Sequence, residues 1–220
     1  MRAGEAEDAE GERALSPEEM LGIIEDQRAA AARHFAGPLP AFYIMWGLVW
    51  LIGYGALFVR YGASGRPQGP LSLGMALTIL FGTMILALVI TGYAGWRQGS
   101  QVRGASQARG AMYGLSWFFG YMLVGALCGH FGGLLPEAER TLLWCCVSML
   151  VVGLLFMAGG AVWGVRQMFA VGVWVTVVNV AGVVAGPGLH ALFSAVGVGG
   201  VFIAMGVGIH LRTRLRPGRA

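Results

Sequence analysis

MWGLVWLIGY, residues 45–54, returns 67 residues later as MYGLSWFFGY, residues 112–121, with six of ten positions identical. Each phrase lies in an apolar stretch with no acidic residue and no arginine. A bilayer-crossing helix needs about 20 mostly apolar residues. Six stretches qualify, at about 41–59, 71–96, 111–131, 142–163, 168–185 and 189–211. Backbone inside lipid must satisfy its own hydrogen bonds, so each is expected to be a helix. The alternating polarity of a membrane barrel is absent.

The echo extends beyond the phrase. Thr91-Gly92-Tyr93-Ala94-Gly95-Trp96 ends the second stretch, and Ala158-Gly159-Gly160-Ala161-Val162-Trp163 ends the fourth at the same offset of 67. The repeated unit is then a helical hairpin, made of crossings one and two and again of three and four. Met205-Gly206-Val207-Gly208-Ile209-His210 offers a weaker third copy. Two crossings per copy keep every copy the same way up, which argues for parallel repeats. The expected fold is an all-α integral membrane six-helix bundle built from helical-hairpin repeats, with an N-terminal cytoplasmic helix.

Composition agrees. The chain of 220 residues is 56% hydrophobic and 12% charged, about half the charge of a soluble domain. All fifteen basic residues are arginine, and nine of the eleven acidic residues precede Arg28. With the N-terminus inside, twelve arginines fall on the cytoplasmic side and only Arg60, Arg66 and Arg140 outside. That bias predicts both termini on the cytoplasmic side. MRAGEAEDAEGER is acidic and lacks a signal-like apolar run, so this end is expected to remain in the mature protein.

Residues 1–14 read as a disordered acidic tail and 15–37 as a cytoplasmic amphipathic helix. Ser16 is the N-cap, Pro17 takes the first helical position, Glu19 closes a capping box and Gly37-Pro38 stops the helix. Met20, Leu21, Ile23, Ile24, Ala31 and Phe35 give it a partial apolar face. That face would pack on the basic loop or tail, lie on the membrane, or bind a soluble partner. The membrane domain spans 41–211, and 212–220 is a basic tail. Arg97, Arg103, Arg109, Arg212, Arg214 and Arg216 set topology, with lipid or partner contact as the other reading. Nucleic acid is not an expected partner, because no folded reading module accompanies them.

Within the spans, small residues would let helices approach where lipid supplies no hydrophobic drive. The expected packing positions are Gly47, Gly53, Gly114, Gly120 and the stripe Gly200-x-x-x-Ala204-x-x-x-Gly208. That stripe would serve one chain or a homodimer. No intramembrane carboxylate or arginine is present, which disfavours an ion-coupled pump. Asn179 is the one deep amide, and with Tyr54 and Tyr121 it is the candidate substrate contact; an interhelical hydrogen bond is the plainer role. Cys128, His130, Cys145, Cys146 and His190 all fall toward the outer face. They would serve as buried packing groups or as a metal or redox site, without matching a compact ligand motif.

No Ser-His-Asp set, HExxH or nucleotide loop is present, so neither an enzyme nor a cofactor is expected. The capped SPEE helix followed by WGLVWLIGYGAL (46–57) resembles polytopic integral membrane proteins of high-GC actinobacteria with no assigned functional family. Such proteins often carry a loose transporter label. The leading expectation is a transporter-like or permease component for an uncharged or lipophilic molecule. The alternative is a non-enzymatic scaffold or sensor whose cytoplasmic helix binds a soluble partner.

Overall fold

A computed structural model describes residues 16–23, 39–99 and 105–215. Residues 17–23 form α1. The bundle comprises α2 (Leu39–Tyr61), α3 (Leu73–Gly99), α4 (Ala105–Gly132), α5 (Glu137–Trp163) and α6 (Arg166–Ala185). The last crossing is composite: α7 (Pro187–Leu192), a π-helical segment (Phe193–Gly200) and α8 (Val201–Leu215). All described secondary structure is helical, and six helices are long and apolar enough to cross a membrane. The protein is a multi-pass membrane protein.

Most helices run a few residues past the apolar windows into polar flanks, as at Glu137–Arg140. The break between the last two crossings is abrupt. Gly186 adopts φ +95°, a conformation open to glycine, and Pro187 starts the next helix.

The last crossing, α2, α6 and α5 form the centre. The first of these packs on both α2 and α6, and α6 packs on α5; α3 packs principally on α2, and α4 principally on α5. The two outer helices are therefore buried along one stripe only. Ala76, Leu80 and Ala87 of α3 face α2. The α4 stripe runs through Tyr113, Trp117, Val124 and Cys128.

Glycines place the central helices in backbone contact. A β-carbon at Gly47 would lie 2.8 Å from Gly199 O and from Ile203 N. One at Gly172 would lie 2.7 Å from Gly153 O. Without hydrophobic drive between helices in lipid, this closeness of dispersion contacts is what holds them. Gly53 meets Leu80, and Gly120 meets Val151. Gly114, Gly200 and Gly208 meet nothing within 4 Å, and Ala204 is exposed.

The seam on α2 instead runs through Gly199, Phe202 and Gly206. Phe202 fills the space between Tyr43 and Phe156, at ring separations of 5.5 and 6.0 Å. A search for small residues four apart misses a seam that alternates glycine with a large knob. Within the π segment, Gly197 O accepts from the Trp174 indole at 2.7 Å, joining α6 to the last crossing.

Both hairpins carry one similar clamp. Trp46 Nε1 donates to Thr91 Oγ1 at 3.1 Å, joining α2 to α3. Tyr113, 67 residues on, donates to Leu155 O at 2.9 Å, joining α4 to α5.

Candidate functional site

The bundle's buried polar groups converge where α5, α6 and α7 meet, in the half nearer the arginine-poor loops. Asn179 of α6 donates through Nδ2 to Cys146 O of α5 at 2.9 Å. Its Oδ1 is then the acceptor for His190 Nε2, also at 2.9 Å. This assigns the ring proton to Nε2, because an amide oxygen accepts and does not donate. Ser194 Oγ donates to His190 O at 2.7 Å and lies 3.1 Å from Met149 Sδ. Asn179, His190 and Ser194 are all buried.

Local sequence makes the room. A β-carbon on Gly182 would come 2.7 Å from His190 Cδ2, so glycine there admits the imidazole. The helix break at Gly186 folds α7 back on α6, which brings His190 to Asn179 only eleven residues away. Tyr54 of α2 closes the cluster. It is 2% exposed, its ring lies 6.4 Å from that of His190, and Trp50 stacks on it at 5.1 Å.

Chemically, this arrangement is a latch. Asn179 and His190 bond across helices, Ser194 bonds back to His190 O within the last crossing, and no carboxylate stands among them. Among the described residues, no buried side-chain nitrogen or oxygen lacks a partner. Of the three sequence-derived substrate contacts, Asn179 and Tyr54 border the cluster. Tyr121 stacks on Trp117 of its own helix, with ring centroids 6.4 Å apart.

The Cys and His residues are only partly brought together. Cys128 and Cys146 both direct their sulfurs to Leu143 O, at 3.8 and 3.4 Å. Cys145 is buried beside Tyr54, and all three thiols are free. His130 is exposed and set edge-on to Phe131, while His190 is engaged with Asn179. Among the described residues, no three His, Cys, Asp or Glu side chains could hold a metal ion.

A second cluster escapes sequence reading. Arg60 Nη2 meets Glu137 Oε1 at 3.1 Å, the one salt bridge among the described residues. Tyr61 Oη donates to the same oxygen at 3.3 Å and pairs with Thr141 Oγ1 at 2.8 Å. These bonds tie the end of α2 to the start of α5. The partners stand 77 residues apart, and only the charges at two span ends hint at the pairing.

At α1 the capping box is formed. Ser16 N donates to Glu19 Oε2 at 2.8 Å, and Glu19 N donates to Ser16 Oγ at 3.2 Å. Met20, Leu21 and Ile23 are exposed. The rest of the 15–37 helix and the tail 1–14 lie outside the described residues, as do Arg103, Arg216 and the side chain of Arg214. Arg97, Arg109 and Arg212 are exposed; the Arg97 guanidinium lies 5.9 Å from the centre of the Tyr93 ring.

Two open cavities flank the bundle. One, of about 600 Å³, lies at the α5–α6 turn. The other, of about 460 Å³, runs between α2 and α3 along Ile44, Leu48, Ile52, Thr83, Leu86 and Ile90. Neither reaches Asn179. No family model, curated protein or solved structure matches this chain.

Proposed function

We propose that this protein is a non-enzymatic scaffold or sensor of the bacterial cytoplasmic membrane, with α1 as its docking element for a soluble partner. The observation that carries this reading is the exposure of Met20, Leu21 and Ile23 on a helix that starts with a reciprocal cap. Large apolar side chains left uncovered on a capped helix suit a groove-binding partner. The filled latch at Asn179 supports it, since a solute route would need polar groups facing an open space. Arginine placement, twelve against three, supports cytoplasmic termini, which would put α1 on the cytosolic side. The matched clamps at Trp46 and Tyr113 support the hairpin repeat.

The test compares full-length protein with a Met20→Ser, Leu21→Ser, Ile23→Ser variant. A soluble protein that co-purifies stoichiometrically, is lost with the variant and rebinds when purified is the expected result. Equal recovery with both proteins would sink the scaffold reading.

A transporter-like component for a lipophilic molecule is the second reading. The groove between α2 and α3 favours it, because its apolar walls open to the bilayer and would admit an acyl-sized chain. Here Leu48→Trp should block uptake of a lipophilic probe into proteoliposomes. Uptake no faster than in empty liposomes would remove this reading.

A further inference from the structure

The cavity at the α5–α6 turn carries an assignment of its own, independent of the scaffold reading. Helix α5 ends at Trp163, Gly164 turns the chain at φ +66°, and Val165 N bonds back to Gly160 O at 2.8 Å. Beside this turn lies the open cavity of about 600 Å³, lined by Arg166 and Gln167 together with the exposed Ala161, Phe169 and Ala170. Arg166 is also the first residue of the fifth apolar helix, and Phe169 and Ala170 follow it one turn further in.

Among the described residues that guanidinium pairs with no carboxylate. Among the described residues the only salt bridge is Arg60–Glu137, and the bundle's described acids, Glu137 and Glu139, start α5 at the opposite end. Arg166 has no hydrogen-bond partner among the described residues either. An arginine at the interface pairs well with phosphate through its planar fork. Gln167 adds an amide donor. The apolar wall beyond them suits hydrocarbon, which a free anion would leave uncovered.

We infer that this cavity is a binding site for an anionic phospholipid, the phosphodiester on Arg166 and Gln167 and an acyl chain along Phe169 and Ala170. Among the arginines counted for topology, Arg166 is set apart by sharing one cavity with apolar side chains.

The experiment uses the purified full-length protein in detergent and native mass spectrometry, with phosphatidylglycerol, phosphatidylcholine or inorganic phosphate added. Wild type should retain phosphatidylglycerol about fivefold better than phosphatidylcholine, the preference expected of one arginine at an anionic headgroup. Arg166→Gln should erase that preference and Arg166→Lys should keep most of it. Arg66→Gln, the same charge loss at the other end of the bundle, should leave it intact. Ala170→Trp fills the apolar wall without altering charge and should weaken retention, which keeps the test open if Arg166→Gln does not fold. Equal retention of the two lipids, or an unchanged preference in Arg166→Gln, would overturn the assignment. So would inorganic phosphate displacing the lipid at equal concentration, which would mark a free-anion site.

Discussion

The phrase at 45–54 lies in the centre of the bundle, and its echo at 112–121 lies at the edge. In α2, Gly47 touches the backbone of the last crossing, and Trp50 and Tyr54 are buried. In α4, Gly114 touches nothing, Trp117 is partly covered, and Tyr121 is 37% exposed. Each hairpin sends one helix inward, but not the same one: α2 from the first and α5 from the second. Similar local sequence therefore specifies a helix and its clamp to the hairpin partner. The remaining faces are decided by what else reaches them, here the last crossing, which packs on α2 and α6.

Equivalent substitutions in the two phrases should separate these effects. The largest difference is expected at the paired tyrosines. Tyr54→Ala would empty a buried aromatic site beside His190 and should cost about 3–4 kcal/mol. Tyr121→Ala, at the exposed edge, should cost about 1 kcal/mol or less. Unfolding in mixed micelles, titrated with a denaturing detergent, measures both.

Next are the glycines. Gly47→Leu would drive a side chain into the backbone at Gly199 and Ile203 and should cost about 3 kcal/mol. Gly114→Leu should stay within about 0.5 kcal/mol of wild type. Equal losses would mean that α4 packs as deeply as α2. The smallest effect tests where the two hairpins agree. Trp46→Phe and Tyr113→Phe each remove one interhelical hydrogen bond and should each cost about 0.6 kcal/mol. A loss confined to one of them would break the likeness between the clamps.

The crossings were legible because hydrocarbon imposes a simple rule: long apolar runs, polar breaks, and backbone satisfied within each helix. The gap between the stretches ending at 185 and starting at 189 holds Gly186-Pro187-Gly188, where proline's missing donor ends a helix. Asn179 was readable as a deep amide, but its partner was not. His190 looked like one member of a dispersed Cys and His group, and its pairing depends on α7 folding back at Gly186. The seam on the last crossing was hidden because Phe202 packs in it between Gly199 and Gly206, and no small-residue pattern includes a phenylalanine. Arg60–Glu137 was hidden by its sequence separation. Local chemistry announced the elements; the contacts between distant elements had no local signal.

The most direct test is the lipid exposure of two positions 67 residues apart, Val49 and Ser116. Each would carry a nitroxide on a single introduced cysteine, with Cys128, Cys145 and Cys146 replaced, in reconstituted liposomes. Val49 is buried and Ser116 exposed, so molecular oxygen should collide readily with the label at 116 and rarely with the label at 49. Equal collision rates at the two positions would contradict an α2 held inside the bundle and an α4 left at its rim.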